Sequence, residues 1–404
     1  MLQRFIRSAE TSPLPRLATI VALFQIGFVL VQSTLAAKGT AGMERINDFD
    51  VFYLASQLVA RGEIAQSYDL PTFIQQQTEY FGRNKQLTWS YPPPFDLIIA
   101  PLAWAPRWLS LAMFFTLTTG TYLLAVRKLS GQEWPIALLL LTFPVCCVIL
   151  LGQNGLLTGT LAALAVIGLA QQRQWAGIPL GLLIIKPHLA VTLAAFVVID
   201  RQWRTMAVAA LTMGLAALAP ELLIDRGIWK AFATGIANTA SLLQGDFYSW
   251  RRMVSLYAAL RSAAVPADVA LAGQVIMAAG SLAAVVWAQH RLPRQQALGL
   301  AALLSLAISP YAFDYDWPVM ATGLCLLLPA IQLLGRPPER ALIYGLFLAC
   351  PLYGIAHTFV FGPAITGRSP AGALHLLLLL LVVRLLARGA GAVPGPDASR
   401  TAWP

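Results

Sequence analysis

Charge is scarce in this chain. Of 404 residues only 11% are Asp, Glu, Lys or Arg, and there are just 4 histidines and 4 cysteines. Each scarcity excludes something. The cysteines, Cys146, Cys147, Cys325 and Cys350, all fall inside apolar runs. They read as small core residues, neither a disulfide framework nor a metal cluster. No CxxC pair, HExxH or GxxxxGK[ST] occurs, which removes the common zinc and phosphate-loop signatures. No cofactor is expected. A divalent ion stays chemically open only because Asp314 and Asp316 lie two residues apart. The net charge of +10 does not point to nucleic acid, because the basic residues sit in short connections between apolar runs. There they fix orientation in a membrane.

What the chain has in abundance is apolar sequence: 58% hydrophobic residues and a mean hydropathy of +0.67. A helix needs about 20 apolar residues to cross the hydrocarbon. Twelve spans are expected, at roughly 17–36, 107–126, 134–151, 155–171, 175–186, 188–199, 205–224, 267–289, 295–310, 317–335, 341–357 and 371–387. The fold class is therefore an all-α polytopic membrane protein, with residues 1–388 as one integral unit and 389–404 as a disordered tail. The basic N-terminus is followed by an apolar stretch too long for a signal-peptide core, so 17–36 reads as a retained span. Two segments, 175–186 and 188–199, are too short for a perpendicular span and read as half-helices. Broken helices are tolerated where protein or water covers the exposed backbone. The segment 93–105, punctuated by Pro101 and followed by Pro106, reads as re-entrant or interfacial.

Basic residues decide the orientation. With the N-terminus in the cytoplasm, the inward connections carry Arg127, Lys128, Arg173, Arg201, Arg204, Arg291, Arg294, Arg336, Arg340, Arg384 and Arg388. The short outward connections carry little beyond Lys186 and Arg368. This is a positive-inside asymmetry, and it fails if 93–105 crosses. Both termini are then cytoplasmic, in the plasma membrane, and the polar clusters share the outer face. They are the loop 37–106, GQNG (152–155), KPH (186–188), and the outward segments 225–266 and YAFDYD (311–316).

Each cluster has a plain structural reading beside a chemical one. Asp48 precedes VFYLASQLVARG (51–62), an amphipathic pattern ending at Gly62. It is either the N-cap of that helix or a general base at the membrane boundary. Asp50, two residues on, points elsewhere in a helical turn and is the weaker candidate. SYPPPFD (90–96) is a rigid turn, because consecutive prolines force an extended chain. Tyr91 within it can also sit at headgroup level or stack on a sugar ring. Gln153 and Asn154 offer amides that either cap a helix or bind sugar hydroxyls. Lys186 stands between two apolar runs, a costly place unless it is paired or solvated. Its partner is either a protein carboxylate, Asp48 or another, or a ligand phosphate, and His188 can add a hydrogen bond. The stretch DFYSWRRMVSLYAALR (246–261) resembles an interfacial helix. Its Arg251 and Arg252 either anchor headgroups or clamp a phosphate. Tyr315 and Asp316 open the span that begins near Trp317.

These motifs, in this order, resemble glycosyltransferase family 87: NDFDVFYLASQLVARG, WSYPPPFDLIIAPLAWAP, GQNGLLTGTLAAL, AGIPLGLLIIKPHLAV and SPYAFDYDW. The similarity runs from about residue 47 to 320. The resemblance implies a fold of the GT-C superfamily. It also implies a mannosyltransferase-like hexosyltransferase with a sugar donor on a polyprenyl phosphate, a lipid or glycan acceptor, and an aspartate base in the first outward loop, which is Asp48 here. Mannosyltransferases of actinobacterial type tend to show a His-His pair where this chain has Tyr315 and Asp316.

The chemistry expected of such a site is an inverting displacement. Lys186, Arg251 and Arg252 stabilise a departing phosphate, and Asp48 takes the acceptor proton. Tyr91, Gln153, Asn154, His188, Tyr315, Asp316 and, less centrally, Asp50 complete the expected substrate-binding set. The alternative is a transporter or lipid flippase. Transporters tend to place coupling carboxylates near the midplane and to show internal repeats. Here the middles of most spans are free of acids and no internal repeat is visible.

Overall fold

The structure, a computed structural model, describes residues 13–38, 47–82, 87–244, 250–361 and 368–390. The described residues are helical almost throughout, and they include no named strand; their one extended contact is an antiparallel bridge between Met253 and Phe313. The last helix runs to Ala390, so residues 389 and 390 of the expected tail are helical; residues 391–404 lie outside the described residues.

In chain order the helices are α1 (Pro13–Ala37), α2 (Asp48–Arg61), α3 (Leu70–Phe81), α4 (Pro94–Ile99), α5 (Arg107–Ser130), α6 (Trp134–Leu151) and α7 (Gly155–Ala170). Then come α8 (Gly177–Leu182), α9 (Val191–Ile199), α10 (Trp203–Leu223), α11 (Ile228–Gln244) and α12 (Leu256–Ser262). The series ends with α13 (Ala267–Arg291), α14 (Arg294–Leu303), α15 (Trp317–Leu334), α16 (Pro337–Phe361) and α17 (Ala371–Ala390). Among the described residues six stretches are long and apolar enough to cross a membrane, and one of them, Arg107–Leu151, is the hairpin of α5 and α6. Shorter apolar helices cover 94–104, 155–170, 174–185 and 187–199.

Two kinds of helix make up this bundle. On α1 the side chains of Leu17, Ile20, Phe24, Phe28, Val31 and Leu35 are exposed, one helical turn apart. That is a stripe suited to lipid, where apolar surface needs no protein partner. The helices α10 and α13 likewise expose Leu211, Leu215, Leu218, Leu222, Val275 and Ile276. By contrast α7 and α15 bury nearly every residue and pack on each other at the centre. Tyr122 of α5 reaches this centre and donates to the Pro318 carbonyl at 2.9 Å.

The two short apolar segments are broken at Lys186. A 3-10 turn over Leu183–Ile185 ends there, Lys186 takes φ −147° and ψ 73°, and a second 3-10 turn begins at Pro187. The surrounding protein covers this interruption, since Leu183, Ile185 and Leu189 are all buried. The expected span 295–310 is broken in the same way, with α14 ending at Leu303 and a 3-10 turn over Ser305–Ala307.

The stretch 94–104 turns back on α2 at both ends. Its start packs on α2 through Phe52 and Phe95, 5.2 Å between ring centroids. Its end returns to the same helix, where the Tyr53 hydroxyl donates to the Ala105 carbonyl at 3.0 Å. Next to it Arg107 pairs with Asp50 at 2.5 Å. Both ends thus lie against α2, which fixes the side on which α5 begins. The helix α11 has no counterpart among the expected spans; it packs on the first loop, with Phe232 against Tyr68 at 5.7 Å. The expected single interfacial helix over 246–261 is also corrected. Residues 245–249 lie outside the described residues, Trp250–Arg252 is a 3-10 turn, and α12 starts only after Ser255 caps it.

If 94–104 does not cross, single cysteines replacing Glu79 and Pro106 will react with a membrane-impermeant maleimide from one side of sealed vesicles. A cysteine replacing Arg173 will react only from the other side. Labelling of the Glu79 and Pro106 positions from opposite sides would overturn this arrangement.

Candidate active site

Six separate connections meet at one end of the bundle. The first is the turn into α2. Asn47, not Asp48, holds the N-cap position, and Asp48 is the first helical residue. The Asn47 N–H donates to the Asp50 carboxylate at 2.8 Å, and the other Asp50 oxygen takes Arg107. Asp50 is fully buried, so its carboxylate serves the helix start and the α2–α5 junction. The half-buried Asp48 projects elsewhere, and its Oδ2 accepts from the Gln153 amide at 2.6 Å.

The second connection is GQNG. Gly152 has φ 75°, a left-handed conformation that favours glycine. A Cβ there would lie 2.5 Å from the Phe49 nitrogen, and one on Gly155 would lie 1.7 Å from the Tyr315 carbonyl oxygen. The loop is therefore wedged between the start of α2 and the turn before α15. Asn154 occupies the N-cap of α7 without a side-chain capping bond, and its amide is buried with no partner among the described residues.

The third is the SYPPPFD turn. Tyr91 donates to Gln153 Oε1 at 2.9 Å, and its ring lies 4.4 Å from Phe95 and 5.5 Å from Phe52. Burial, with the Asp316 and Asp48 carboxylates nearby, pushes the Tyr91 hydroxyl well above its ordinary range, so it stays protonated. The turn is anchored by Asp96, whose only mark along the chain is its place directly before an apolar run. Asp96 receives the Trp89 indole N–H at 3.1 Å and lies 2.9 Å from the Tyr68 hydroxyl oxygen. That same hydroxyl lies 3.0 Å from the Tyr91 carbonyl. One phenolic proton cannot serve both acceptors, whereas a protonated Asp96 satisfies the set. Burial does push the Asp96 carboxyl up to about 8, although Tyr68 and Trp89 pull it down.

The fourth, fifth and sixth connections, at Lys186, Trp250–Arg252 and Asp314–Asp316, supply charge. Lys186 is 7% exposed and bonds to Asp316 Oδ1 at 2.6 Å. Of the two partners the sequence left open, a protein carboxylate is present, and it is Asp316 rather than Asp48. The ammonium also lies 4.7 Å from the Tyr315 ring centroid and 5.6 Å from that of Tyr91, within the range of cation–π attraction. Arg252 forms a two-pronged pair with Asp314, at 2.9 Å and 3.2 Å, and its guanidinium lies 5.5 Å from the Tyr315 ring centroid. Burial opposes the Arg252 charge, but Asp314 and then Asp48 outweigh it, and the guanidinium titrates above its ordinary range. Asp314 is thus a member that the expected set omitted. Arg251 shares the same turn, with its carbonyl against Gly354. His188 follows Lys186 by two residues, and its Nε2 is buried with no partner among the described residues.

The structure thus gathers Asp48, Tyr91, Gln153, Lys186, Tyr315, Asp316, Arg252 and Asp314 into one continuous contact chain, while Asp50 stands behind it. The Asp48 carboxylate, within electrostatic reach of Arg252, and two paired cations are thus brought together. Among the described residues no group of three or more His, Cys, Asp or Glu is arranged to hold a metal ion.

Comparison with known proteins adds a family. The model of glycosyltransferase family 87 matches residues 89–310, more than half of the chain. No curated protein and no solved structure matches. Tyr91, Gln153, Lys186 and Arg252 fall inside the matched region, and Asp48, Asp314 and Asp316 are joined to them by the fold.

Two consequences are measurable. Gly155→Ala will prevent normal folding, read as loss of the monodisperse peak in detergent, because backbone at 1.7 Å cannot yield. Asp96 holds its proton more tightly in the folded chain than in the unfolded one. Its contribution to stability is therefore full below about pH 4, declines as pH rises, and is gone above about 8. Asp96→Asn, permanently neutral, will flatten the fall in thermal stability between pH 5 and pH 8.5.

Proposed function

Because the chain belongs to glycosyltransferase family 87, we propose that it moves a hexose from a polyprenyl-phosphate donor to a lipid or glycan acceptor at the outer face of the plasma membrane, with Asp48 as general base. The observation that carries this reading is the placement of Asp48 and the Lys186 ammonium on either side of Tyr91: the carboxylate through Gln153, the cation over the ring.

The physical requirements of the reaction fit that arrangement. A lipid-linked donor keeps its chain in the bilayer and its phosphate at the surface. The acceptor O–H gives its proton to Asp48 while its oxygen forms a bond to the anomeric carbon. The bond from that carbon to the phosphate oxygen breaks on the opposite side, and the electron pair leaves on polyprenyl phosphate. Attack and departure on opposite sides invert the configuration. A phosphate monoester is a good leaving group that needs positive charge rather than protonation, so one carboxyl suffices where glycoside hydrolysis uses two. Lys186 and Arg252 supply that charge. Asp316 and Asp314 hold them in place and keep them from being unpaired in a buried site. Tyr315, its ring stacked on Phe313, lies within cation–π distance of both cations and helps to hold them. The sidedness rests on the basic connections at the opposite end, where Arg294 pairs with Asp200 and Arg388 with Glu339, together with the positive-inside rule.

Purified protein in nanodiscs, given a panel of radiolabelled polyprenyl-phosphate hexoses and a membrane lipid extract, will release polyprenyl phosphate. Asp48→Asn will fold normally and lower the rate by roughly 10²–10⁴-fold, the usual share of a general base. A folded Asp48→Asn protein with wild-type turnover would rule out the assignment. Lys186→Met combined with Asp316→Asn removes the cation without stranding a buried acid. It will weaken donor binding and lower turnover by about 10²-fold or more.

A further inference from the structure

We propose that Gln153 is the positioning residue of the Asp48 carboxylate, and that Tyr91 locks Gln153 in that role from the side that faces Lys186. This rests on the reading of Asp48 as the base.

Hydrogen-bonding groups of fixed direction meet at the Gln153 amide. The Asn154 backbone N–H can only donate, and it lies 3.3 Å from Gln153 Oε1. The Tyr91 hydroxyl donates to the same oxygen at 2.9 Å. The Asn154 N–H therefore fixes which end of the amide is oxygen, and its NH2 must face Asp48 Oδ2 at 2.6 Å. An ionised carboxylate only accepts, so the set is self-consistent. Turned by 180°, the amide would place oxygen against carboxylate and NH2 against an N–H donor. Among the described residues no other group donates a hydrogen bond to the Asp48 side chain. One carboxylate oxygen is thus held, and the other is left to receive the acceptor hydroxyl. Holding a base in one rotamer removes the conformational search that otherwise precedes proton transfer.

Gln153 is itself held from both flanks. Gly152 and Gly155 on its two sides are packed too closely on α2 and on Tyr315 to admit even a Cβ, which would lie 2.5 Å and 1.7 Å from backbone there. Tyr91 is two-ended. Its hydroxyl holds the amide, while its ring lies 5.6 Å from the Lys186 ammonium and is seated edge-on against Phe52. A phosphate drawn to Lys186 acts on the same ring that fixes the amide. The donor end and the base end of the site are therefore linked through one side chain, and Tyr91 is more than a surface on which sugar stacks.

The test uses the full-length protein in nanodiscs and whichever polyprenyl-phosphate hexose of the panel the wild type turns over. Gln153→Leu and Tyr91→Phe will each lower kcat by roughly 10- to 10²-fold, the scale of a misplaced catalytic group, with the donor KM unchanged within about twofold. Because the two residues act as one chain, the double variant will be no slower than the slower single variant. Tyr91→Leu, which also removes the ring, will raise the donor KM in addition. If Gln153→Leu does not fold, Gln153→Met replaces it. Wild-type kcat in Tyr91→Phe, or losses that multiply in the double variant, would overturn the inference. A slow Asp48→Asn beside unimpaired Gln153→Leu and Tyr91→Phe sinks the positioning role and leaves the base assignment standing. A fully active Asp48→Asn, or a wild type that turns over none of the panel, removes both.

Discussion

Charge inside a bundle of apolar helices must be paired, and the arrangement of this site follows from that requirement. Lys186 and Arg252 stand where water is largely excluded, so each is matched by an aspartate: Asp316 at 2.6 Å and Asp314 at 2.9 Å. Those two acids lie either side of Tyr315 in one 3-10 turn at the head of α15. The turn before the most buried helix therefore sets the positions of both cations at once. Removing either acid would strand a cation, a change that typically costs several kcal/mol. The pairs hold charge at fixed points, ready for an anion that brings its own.

A second constraint is steric. GQNG touches α2 on one side and the α15 turn on the other, with no room for a Cβ on either outer glycine. This loop joins the carboxylate end of the site to the cation end. The Asp50–Arg107 pair does the corresponding work behind it by fixing the start of α2 against α5. The protonated Asp96, between Tyr68 and Trp89, fixes the turn that carries Tyr91. The groups placed for chemistry thus rest on a layer of buried polar contacts that carry no chemistry themselves.

Membrane crossing is carried by a different set of residues. The outer helices α1, α10 and α13 present apolar stripes to lipid, and the broken segments around Lys186 and Ser305 are kept inside. Interrupting a helix leaves backbone groups without their regular partners, which is tolerable only away from hydrocarbon. Placing both interruptions against the central helices satisfies this and brings Lys186 to the site.

Much of this was readable along the chain. Hydropathy gave the spans, the break at Lys186 and the grouping of basic residues, because apolar length and loop charge are local properties. The candidates Asp48, Lys186 and Asp316 were also legible, since a charge beside an apolar run is conspicuous. The partners were not. Nothing in the order of residues says that Lys186 meets Asp316 rather than Asp48, that Asp50 turns inward to Arg107, or that Gln153 bridges Asp48 and Tyr91. Nor does it say that Asp314 belongs to the site or that 246–261 is not one helix. Those facts depend on contacts between residues 57 to 130 positions apart. Sequence alone determined that the chain is a helical membrane protein with a few isolated polar groups. Only the packing of the helices decided which of those groups face one another, because pairing energy depends on distance in space and not on separation along the chain.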